Sequence, residues 1–398
     1  MTLTALAQFV FWSSAGVIFY VYVGYPLLVF AVSRLFPKPT VRAAFEPPVS
    51  IIITAYNEER DIRAKLENTL SIDYPPEKLE IIVASDCSSD KTDEIVGEFK
   101  SRGIKLYRQA ERKGKTSAQN MAVERAAGEI ILFSDATTLY ETDVLRAMLP
   151  NFADKTVGCV AGKLVYVDAS DSSVGKGARS YWNYETFLKE SESRACSLIG
   201  TSGCLYSVRK SAYQPMYPEA CSDFFIATLV YKQGLRTVYE PAAVCTEETN
   251  RHSGKEMQMR VRVISQTFND LWRNREMLNP LRSGFFAVEL VSHKILRYGV
   301  PFFMILMLLA AGLAAFHSTF FLFVFALQIV FYLTALIGWF LEKNENKAGI
   351  LAIPLYFVLA NSAALLGFYK FLSGERYVRW EPIRENELSI NALDAETR

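Results

Sequence analysis

Two aspartates follow directly on short apolar runs, at positions where a side chain can do chemistry. Asp86 follows the run Leu79–Ala84, and Asp135 follows the run Glu129–Phe133. A carboxylate placed like Asp86 can accept a hydrogen bond from the imide N–H of a nucleobase and so select uracil. Asp135, with Thr137 or a water beside it, offers the oxygen ligands that Mg²⁺ or Mn²⁺ requires. Polar residues here also cap helices, but their place at the ends of the runs favours function.

Two further segments extend this set toward a nucleotide. The segment Ala55–Glu58 follows the apolar run Ser50–Thr54, and Tyr56 within it can stack on a base. The basic segment Glu111–Lys115 precedes a predicted helix, where cations and backbone amides can meet phosphates. A loop tyrosine often only packs, and a basic loop is often only solvated surface. The place of the basic segment between two acids favours phosphate binding.

The elements that position these groups alternate between strand and helix. The apolar runs suit strands buried on both faces. Helical patterns lie between them at Glu58–Leu70, Asp90–Lys100 and Thr116–Ala126. This alternation predicts an α/β domain with a mainly parallel sheet covered by helices. Ligands of such sheets bind beyond the carboxyl ends of the strands, so we expect the site there.

Long apolar stretches flank this domain. The stretch Ala5–Val32 carries no charge and can cross a bilayer as an uncleaved anchor. Three more follow near the other end, at about Val300–Phe316, Phe320–Leu341 and Ile350–Leu372. The basic residues after the first stretch predict that the domain faces the cytoplasm: Arg34, Lys38 and Arg42. Two more mark a return to the cytoplasm after the third stretch: Lys343 and Lys347.

The end of the chain leaves two topologies open. Four spans that start outside place the tail outside, yet basic residues crowd the end of the last stretch: Lys370, Arg376, Arg379 and Arg384. Positive charge prefers the cytoplasm. Either the charge rule does not hold here, or the last stretch, interrupted by Pro354 and Asn361, is re-entrant.

Composition excludes several classes of protein. With 398 residues, 51% of them hydrophobic, the chain exceeds one ordinary soluble domain. A net charge of +1 provides no basic field for nucleic acid. The six cysteines contain no CxxC pair, which favours reduced thiols over disulfides or a zinc site.

Taken in order, these residues resemble the family 2 glycosyltransferases with a GT-A fold, especially membrane-bound bacterial polysaccharide synthases. The resemblance covers about Pro48 to Pro301. It is carried by an ordered set of segments: Ile51–Glu59, the Asp86 loop, Lys113–Lys115 with Asn120, Phe133–Thr138, Gly200–Tyr206 and Ser222–Phe224.

The resemblance implies a role for each matched group. Asp223 would be the general base that takes a proton from the acceptor hydroxyl, in a single displacement that inverts the anomeric centre; the residue can also be read as the N-cap of a helix Phe224–Gln233. Asp135 and Thr137 would hold Mg²⁺ or Mn²⁺ on the donor diphosphate. The implied nucleotide-binding residues are Ala55, Tyr56, Glu58, Asp86 and Lys115, and the implied donor and acceptor loop contains Gly203 and Cys204.

The sequence departs from the family pattern twice. The DxD motif reads Asp135-Ala136-Thr137, so its second carboxylate is absent. The QxxRW motif of processive members is reduced to Gln266 and Trp272, with no arginine before the tryptophan. Metal dependence is still expected, but repeated chain extension is less strongly indicated.

The region from about Lys255 to Leu296 mixes basic and aromatic residues at helical spacing. It predicts interfacial helices on the membrane beside the site, with Arg260, Arg262, Gln266 and Trp272 close to the membrane and His293 as an interfacial side chain. A solvated charged helix is the alternative.

These inferences predict a multi-pass protein of the inner membrane. The domains are an anchor at 1–36, a cytoplasmic GT-A domain at 47–250, interfacial helices at 251–298, transmembrane helices at 299–372 and a polar tail at 373–398. We expect an inverting transferase that moves a sugar from a UDP-sugar to a polysaccharide or lipid-linked acceptor, without nucleic acid as a partner. The main alternative loads a single sugar onto polyprenyl phosphate or another lipid. A phosphotransferase and a binding-only receptor are weaker alternatives.

Overall fold

The computed structural model describes residues 2–167, 173–248, 253–344 and 348–379, without the side chains of residues 173–182, 248 and 253. Of the charges used above to infer topology, Lys347 and Arg384 lie outside the described residues, as does the predicted tail beyond Arg379.

The α/β domain is built on a mixed sheet, which has eight strands in the residues that the structure describes. Its strands are β1 Val49–Ala55, β2 Leu79–Ser85, β3 Ile104–Arg108, β4 Ile130–Asp135, β5 Leu139–Tyr140, β6 Val157–Val167, β7 Tyr206–Arg209 and β8 Arg236–Glu248. Their spatial order is β3-β2-β1-β4-β7-β6-β8-β5, and β1 to β4 are mutually parallel. β7 runs antiparallel to both β4 and β6, and β5 antiparallel to β8. The expected GT-A type sheet, mixed but mainly parallel, is confirmed.

The helices that cover the sheet begin slightly off the predicted positions. They are α2 Ile62–Leu70, α3 Thr92–Glu98, α4 Lys115–Arg125, α5 Val144–Met148, α6 Ser173–Ala195 and α7 Ser222–Lys232, with α1 Leu3–Leu35 before the domain. α2 starts at Ile62, after the predicted Glu58. The backbone N–H of Glu58 donates to Thr92 Oγ1 at 2.7 Å, which joins this loop to the start of α3.

In the part of the chain that the structure describes, four helices are long and apolar enough to cross a membrane. They are α1, α9 Phe285–Ala315, α10 Thr319–Lys343 and the segment Gly349–Leu372, whose α-helical part is α11 Ala352–Leu372. An amphipathic helix, α8 Ser253–Arg273, precedes them. α1 packs antiparallel to α9, with Ala7 and Phe11 against Ala310 and Ala314 at one end.

α9 begins at Phe285, well before the predicted first C-terminal span at Val300 and inside the predicted interfacial region. Its polar residues are paired within the protein. His293 Nδ1 lies 2.6 Å from Glu192 Oε1, and Arg297 binds Glu185 at 2.5 Å. His293 is therefore buried rather than interfacial, and the helix can extend because its charges have partners.

α11 lies along α8 rather than standing apart from it. Tyr356, near the start of α11, contacts Glu256 at 3.2 Å. Near its end, the ring centroids of Phe371 and Phe268 are 5.8 Å apart. Both ends of α11 thus lie against α8, the helix that follows the α/β domain in the chain.

Close packing of a loop on β1 provides a test of the sheet. A Cβ atom on Gly128 would lie 2.4 Å from the backbone nitrogen of Ser50. We expect Gly128→Ala to destabilise the domain by about 1–3 kcal/mol, because backbone atoms would have to move. Gly97→Ala is the matched control, since a Cβ there meets nothing within 4 Å and helical alanine is favoured. Thermal unfolding of the purified proteins measures both changes; equal midpoints would contradict the packing argument.

Candidate functional site

Asp86 fixes the basic loop at the carboxyl edge of the sheet. Its backbone N–H donates to the carbonyl of Ala55 at 2.9 Å, which joins the ends of β1 and β2. Its carboxylate accepts from the N–H of Lys113 at 2.8 Å and of Gly114 at 3.0 Å. Burial raises the pKa of Asp86, and these amide bonds oppose the rise. The carboxylate expected to meet a base therefore also holds the loop expected to meet phosphate.

The loop after β1 is locked to the loop after β2. Asn57 has a φ of 54°, and its N–H donates to Ser88 Oγ at 3.1 Å. The N–H of Ser89 donates back to Asn57 Oδ1 at 2.7 Å. Next to it, the guanidinium carbon of Arg112 lies 3.7 Å from the ring centroid of Tyr56. The face of Tyr56 that was expected to stack on a base is thus next to a cation.

Lys115 and Asp135 form an ion pair between the start of α4 and the end of β4. Burial lowers the pKa of the Lys115 ammonium, but the nearby carboxylates of Asp135 and Asp223 outweigh it, so the pKa is raised. The lysine predicted to contact the nucleotide and the aspartate predicted to hold a metal are therefore direct neighbours.

Glu247 supplies a second acid beside Asp135. Thr137 Oγ1 donates to Glu247 Oε1 at 3.1 Å. Burial, followed by the charge of Asp135, raises the pKa of Glu247 to about 7. Nothing in the sequence pattern indicated this glutamate as a partner of Asp135. The antiparallel pairing of Leu139 with Thr246 delivers Glu247 to this position.

Lys65 contacts the loop after β4, and the sequence did not predict it as a residue of the site. The side chain is fully buried, its Nζ donates to the carbonyl of Thr138 at 2.6 Å, and it lies 3.3 Å from the ring centroid of Tyr140. Burial lowers its pKa to about 7. A lone lysine in an amphipathic helix gives no sequence signal for such a role.

The oxygen atoms around Asp135 are of the kind that a divalent cation takes as ligands. Among the described residues, no three His, Cys, Asp or Glu side chains form a metal-binding group. Asp135, Glu247 and the Thr137 hydroxyl are nevertheless close, and the two acids disfavour each other's charge. A cation would relieve that repulsion, with phosphate and water completing its ligands.

Asp223 lies in the first turn of α7, two residues beyond the N-cap Cys221. Its Oδ1 accepts from the N–H of Phe224 at 3.0 Å and from the thiol of Cys221 at 3.1 Å. A Cβ atom on Gly203 would lie 3.3 Å from Asp223 Oδ2 and 3.5 Å from Lys115 Nζ. Gly203 therefore leaves space between the predicted base and the ion pair.

Cys204 does not contribute a side chain to this site. It is buried in the core, with its Sγ 3.5 Å from Cys245 Sγ. The place of Cys204 in the donor and acceptor loop stays a prediction, and its side chain is buried together with those of Leu205 and Tyr206. All six cysteines are free thiols.

The four membrane-proximal residues divide into two groups. Arg262 is half-buried, desolvation lowers its pKa, and its acidic neighbours include Asp135 and Asp223. Gln266 Nε2 donates to the carbonyl of Tyr377 at 2.9 Å. Arg260 and Trp272 lie elsewhere: Arg260 pairs with Glu256 on its own helix, and Trp272 is 63% exposed.

The C-terminal segment 375–379 lies against the basic loop Glu111–Lys115, which was predicted to meet phosphate. A Cβ atom on Gly114, which has a φ of 90°, would lie 2.0 Å from the carbonyl oxygen of Val378. Tyr377, next to it, is held by Gln266. The sequence predicted only a polar tail here, since nothing in its composition indicates a return to a loop so distant in the chain.

Comparison with known proteins identifies the domain. Residues 50–216 match the family model described as glycosyl transferase family 2. This part of the chain is a family 2 glycosyltransferase domain. A poly-β-1,6-N-acetyl-D-glucosamine synthase of Staphylococcus aureus (strain COL) is 26% identical over 60% of this chain and 55% of its own length. The synthase of the same name from Staphylococcus epidermidis is 24% identical over 85% of this chain and 88% of its own length.

The fold of the glycosyltransferase domain and its membrane helices also has a solved counterpart. A mannosyltransferase from Pyrobaculum calidifontis, in complex with GDP-mannose and Mn²⁺, superposes with a TM-score of 0.72 at 22% identity. The match covers 94% of this chain and all of that one, 100%. The chain spans about half the length of the S. aureus synthase, 55%, but the match spans the whole mannosyltransferase chain, 100%.

The contact between Gly114 and Val378 gives a test of the C-terminal segment. We expect Gly114→Ala to displace residues 375–379, so that trypsin cuts faster after Arg376 and Arg379. Gly103→Ala is the control, since Gly103 has a similar φ of 87° and a Cβ there meets nothing within 4 Å. Gly103→Ala also strains the backbone, although less than Gly114→Ala because ψ is 5° at Gly103 and 164° at Gly114, and it adds no clash. Identical cleavage rates in the two variants would contradict the contact.

Proposed function

We propose that this chain is an inverting membrane glycosyltransferase that moves a sugar from a UDP-sugar to a hydroxyl of a polysaccharide or lipid-linked acceptor at the cytoplasmic membrane face. The observation that supports it best is the convergence of Lys115, Asp135, Asp223 and Glu247 at the carboxyl edge of a family 2 glycosyltransferase sheet. The family match also argues against the phosphotransferase alternative.

Asp223 is the proposed base. The acceptor oxygen forms a bond to the anomeric carbon while the bond from that carbon to the diphosphate breaks. The acceptor proton passes to Asp223, and UDP leaves with the electron pair. The Oδ2 atom of Asp223 faces the glycine gap at Gly203, which gives an acceptor hydroxyl room to approach. Lys115 and Arg262 lie near enough to stabilise charge that develops on the leaving diphosphate.

Asp135, Thr137 and Glu247 are the proposed ligands of Mg²⁺ or Mn²⁺, which when bound would neutralise charge on the diphosphate. Glu247 takes the place of the carboxylate missing from the Asp135-Ala136-Thr137 motif. The P. calidifontis mannosyltransferase was solved in complex with Mn²⁺, in agreement with a divalent ion here.

The nucleoside is proposed to be uridine, bound near Tyr56 and Asp86. Asp86 can accept from a ring N–H, which uracil and guanine carry and adenine lacks. The P. calidifontis mannosyltransferase binds GDP-mannose, so guanosine is the second candidate. Ala55 and Glu58 shape this pocket through their backbone bonds to Asp86 and Thr92.

The glycosyltransferase domain is proposed to face the cytoplasm. Arg34, Lys38 and Arg42 follow α1, and positive charge is retained on the cytoplasmic side. The contacts of α11 along α8, and of residues 375–379 with the site, favour a last segment that stays on the side of the glycosyltransferase domain over a fourth crossing. Because α11 is one continuous helix, it would lie along the membrane surface rather than turn back within the bilayer. The tail then lies on the cytoplasmic side, where its basic residues are favoured.

Replacing the proposed base should separate chemistry from binding. We expect Asp223→Asn to bind UDP normally but to transfer sugar at least about a hundredfold more slowly, because general base catalysis contributes roughly 10²–10⁴-fold. The amide can still accept from the N–H of Phe224, so α7 keeps its first turn. Transfer of labelled sugar from UDP-sugars, together with UDP titration, measures both properties. Near-normal transfer would show that the base lies elsewhere.

Removing the proposed metal ligand should weaken donor binding. We expect UDP to bind at least about tenfold more weakly to Asp135→Asn in Mn²⁺, because a charged contact contributes about 1.5–3 kcal/mol. EDTA should have a similar effect on the parent protein. The control is Asp73→Asn, which removes an exposed carboxylate paired with Arg146. Calorimetric titration with UDP, GDP and ADP also ranks the nucleosides, and full UDP affinity in EDTA would contradict the metal assignment.

A further inference from the structure

A cavity of about 330 Å³ lies where five helices meet, next to the membrane-facing side of the domain. Its walls come from α1, α6, α8, α9 and α11. The polar part of the lining consists of Tyr184, Arg260, Arg297, Tyr298, Tyr356 and Asn361. No residue of the proposed donor site lines it.

The cavity contains two arginines that are fixed in place. Arg260 Nε binds Glu256 Oε1 at 2.7 Å, and Arg297 binds Glu185 Oε1 at 2.5 Å. The arginine side chains are 14% and 11% exposed, so neither is a mobile surface group. Arg260 also donates from Nη2 to the Tyr356 hydroxyl. A guanidinium carries five N–H donors, so each arginine can donate to phosphate oxygens in addition to its glutamate. Because the ion pairs hold both guanidinium groups in position, a ligand would have to order few side chains when it binds.

One end of the cavity carries apolar side chains and opens at an exposed residue of α11. Ile353 and Phe357 of α11 line this end, next to Tyr356, and Ile353 is 65% exposed. α11 is part of a candidate membrane segment, so an exposed isoleucine on it faces lipid. A ligand with a charged head and an apolar chain could enter sideways from the bilayer.

The cavity adjoins the proposed catalytic base. Lys294 Nζ lies 5.8 Å from the ring centroid of Tyr298, which lines the cavity, and 5.5 Å from that of Phe224, which follows Asp223. On α8, Arg260 lines the cavity while Arg262, two residues on, has Asp135 and Asp223 among its charged neighbours. A ligand anchored in the cavity would therefore extend toward Asp223.

We propose that this cavity binds the phosphate group of a lipid-linked glycan, with the first carbons of the lipid at the apolar end and the sugar directed toward Asp223. The proposal rests on the proposed function and narrows its acceptor to a sugar carried on a lipid phosphate. A neutral polysaccharide needs no cations for recognition, whereas two ordered arginines, with Lys294 beside them, match an anionic head group. The bilayer opening accounts for the lipid chain.

Binding of a simple lipid phosphate tests the site without the donor. The purified full chain in neutral detergent is titrated with farnesyl phosphate, with farnesol and with inorganic phosphate, and binding is followed by thermal shift and tryptophan fluorescence. We expect farnesyl phosphate to bind at least about tenfold more tightly than either half alone, since a charged hydrogen bond contributes about 1.5–3 kcal/mol. Tight binding of inorganic phosphate alone would indicate a soluble anion site and contradict the lipid assignment.

Three variants locate the binding. Arg260→Gln should weaken farnesyl phosphate at least about tenfold, whereas Arg273→Gln, on the same helix but paired with Glu219, should not. Ala360→Phe fills the cavity without changing charge and should also abolish binding, so the test survives if Arg260→Gln fails to fold. Equal affinities in parent, Arg260→Gln and Ala360→Phe would overturn the proposal, as would cavity-dependent binding of a neutral oligosaccharide in place of farnesyl phosphate.

The assay also separates this inference from the proposed function. Farnesyl phosphate binding is measured without nucleotide, and UDP binding is measured without lipid. Cavity-dependent lipid binding in a protein that fails to bind UDP would refute the proposed donor and leave the lipid phosphate site intact. Normal UDP binding and transfer without cavity-dependent lipid binding would refute the lipid phosphate site and leave the proposed function intact.

Discussion

The ion pair of Lys115 with Asp135 holds together the edge of the sheet where the site lies. One partner begins the helix after the basic loop and the other ends a central strand. The two side chains are 26% and 31% exposed, and removing one partner would leave the other without its ion pair. Asp223, Glu247, Arg262 and Lys65 lie around this pair, and each influences or feels its charges. The loops that follow β4 and precede α4 therefore meet at one cluster of ionisable groups.

Ion pairs continue into the membrane helices. Glu185 of α6 lies between His293 and Arg297 of α9. This arrangement lets a helix with three basic residues near its start continue into an apolar stretch. It also ties α9 to α6, so the membrane helices and the sheet share one set of polar contacts. The hydroxyl of Tyr25 in α1, which donates to Glu192 at 2.6 Å, extends that set to the N-terminal helix.

The sequence could predict the parts of this arrangement that are local in the chain. Continuous apolar runs with an acid at the end predicted β1, β2 and β4, and so Asp86 and Asp135 at one edge. It could not predict partners fixed by long-range pairing. Glu247 reaches Asp135 only through the register of β5 with β8, and Val378 reaches Gly114 only because α11 runs along α8. The start of α9 was misplaced for the same reason, since charges that oppose membrane insertion in the sequence are neutralised by distant glutamates.

Helix α8 contacts both the proposed lipid phosphate cavity and the acids of the proposed donor site. Residues two apart on a helix point in different directions, so Arg260 lines the cavity next to lipid while Arg262 is close to the acids of the sheet edge. Further along, Gln266 holds the carbonyl of Tyr377 and so the segment that lies on Gly114. A shift of α8 along or about its axis would therefore change the cavity, the acid cluster and the loop held by Asp86 together. Because α11 packs along its length, such a shift is coupled to the membrane helices as well.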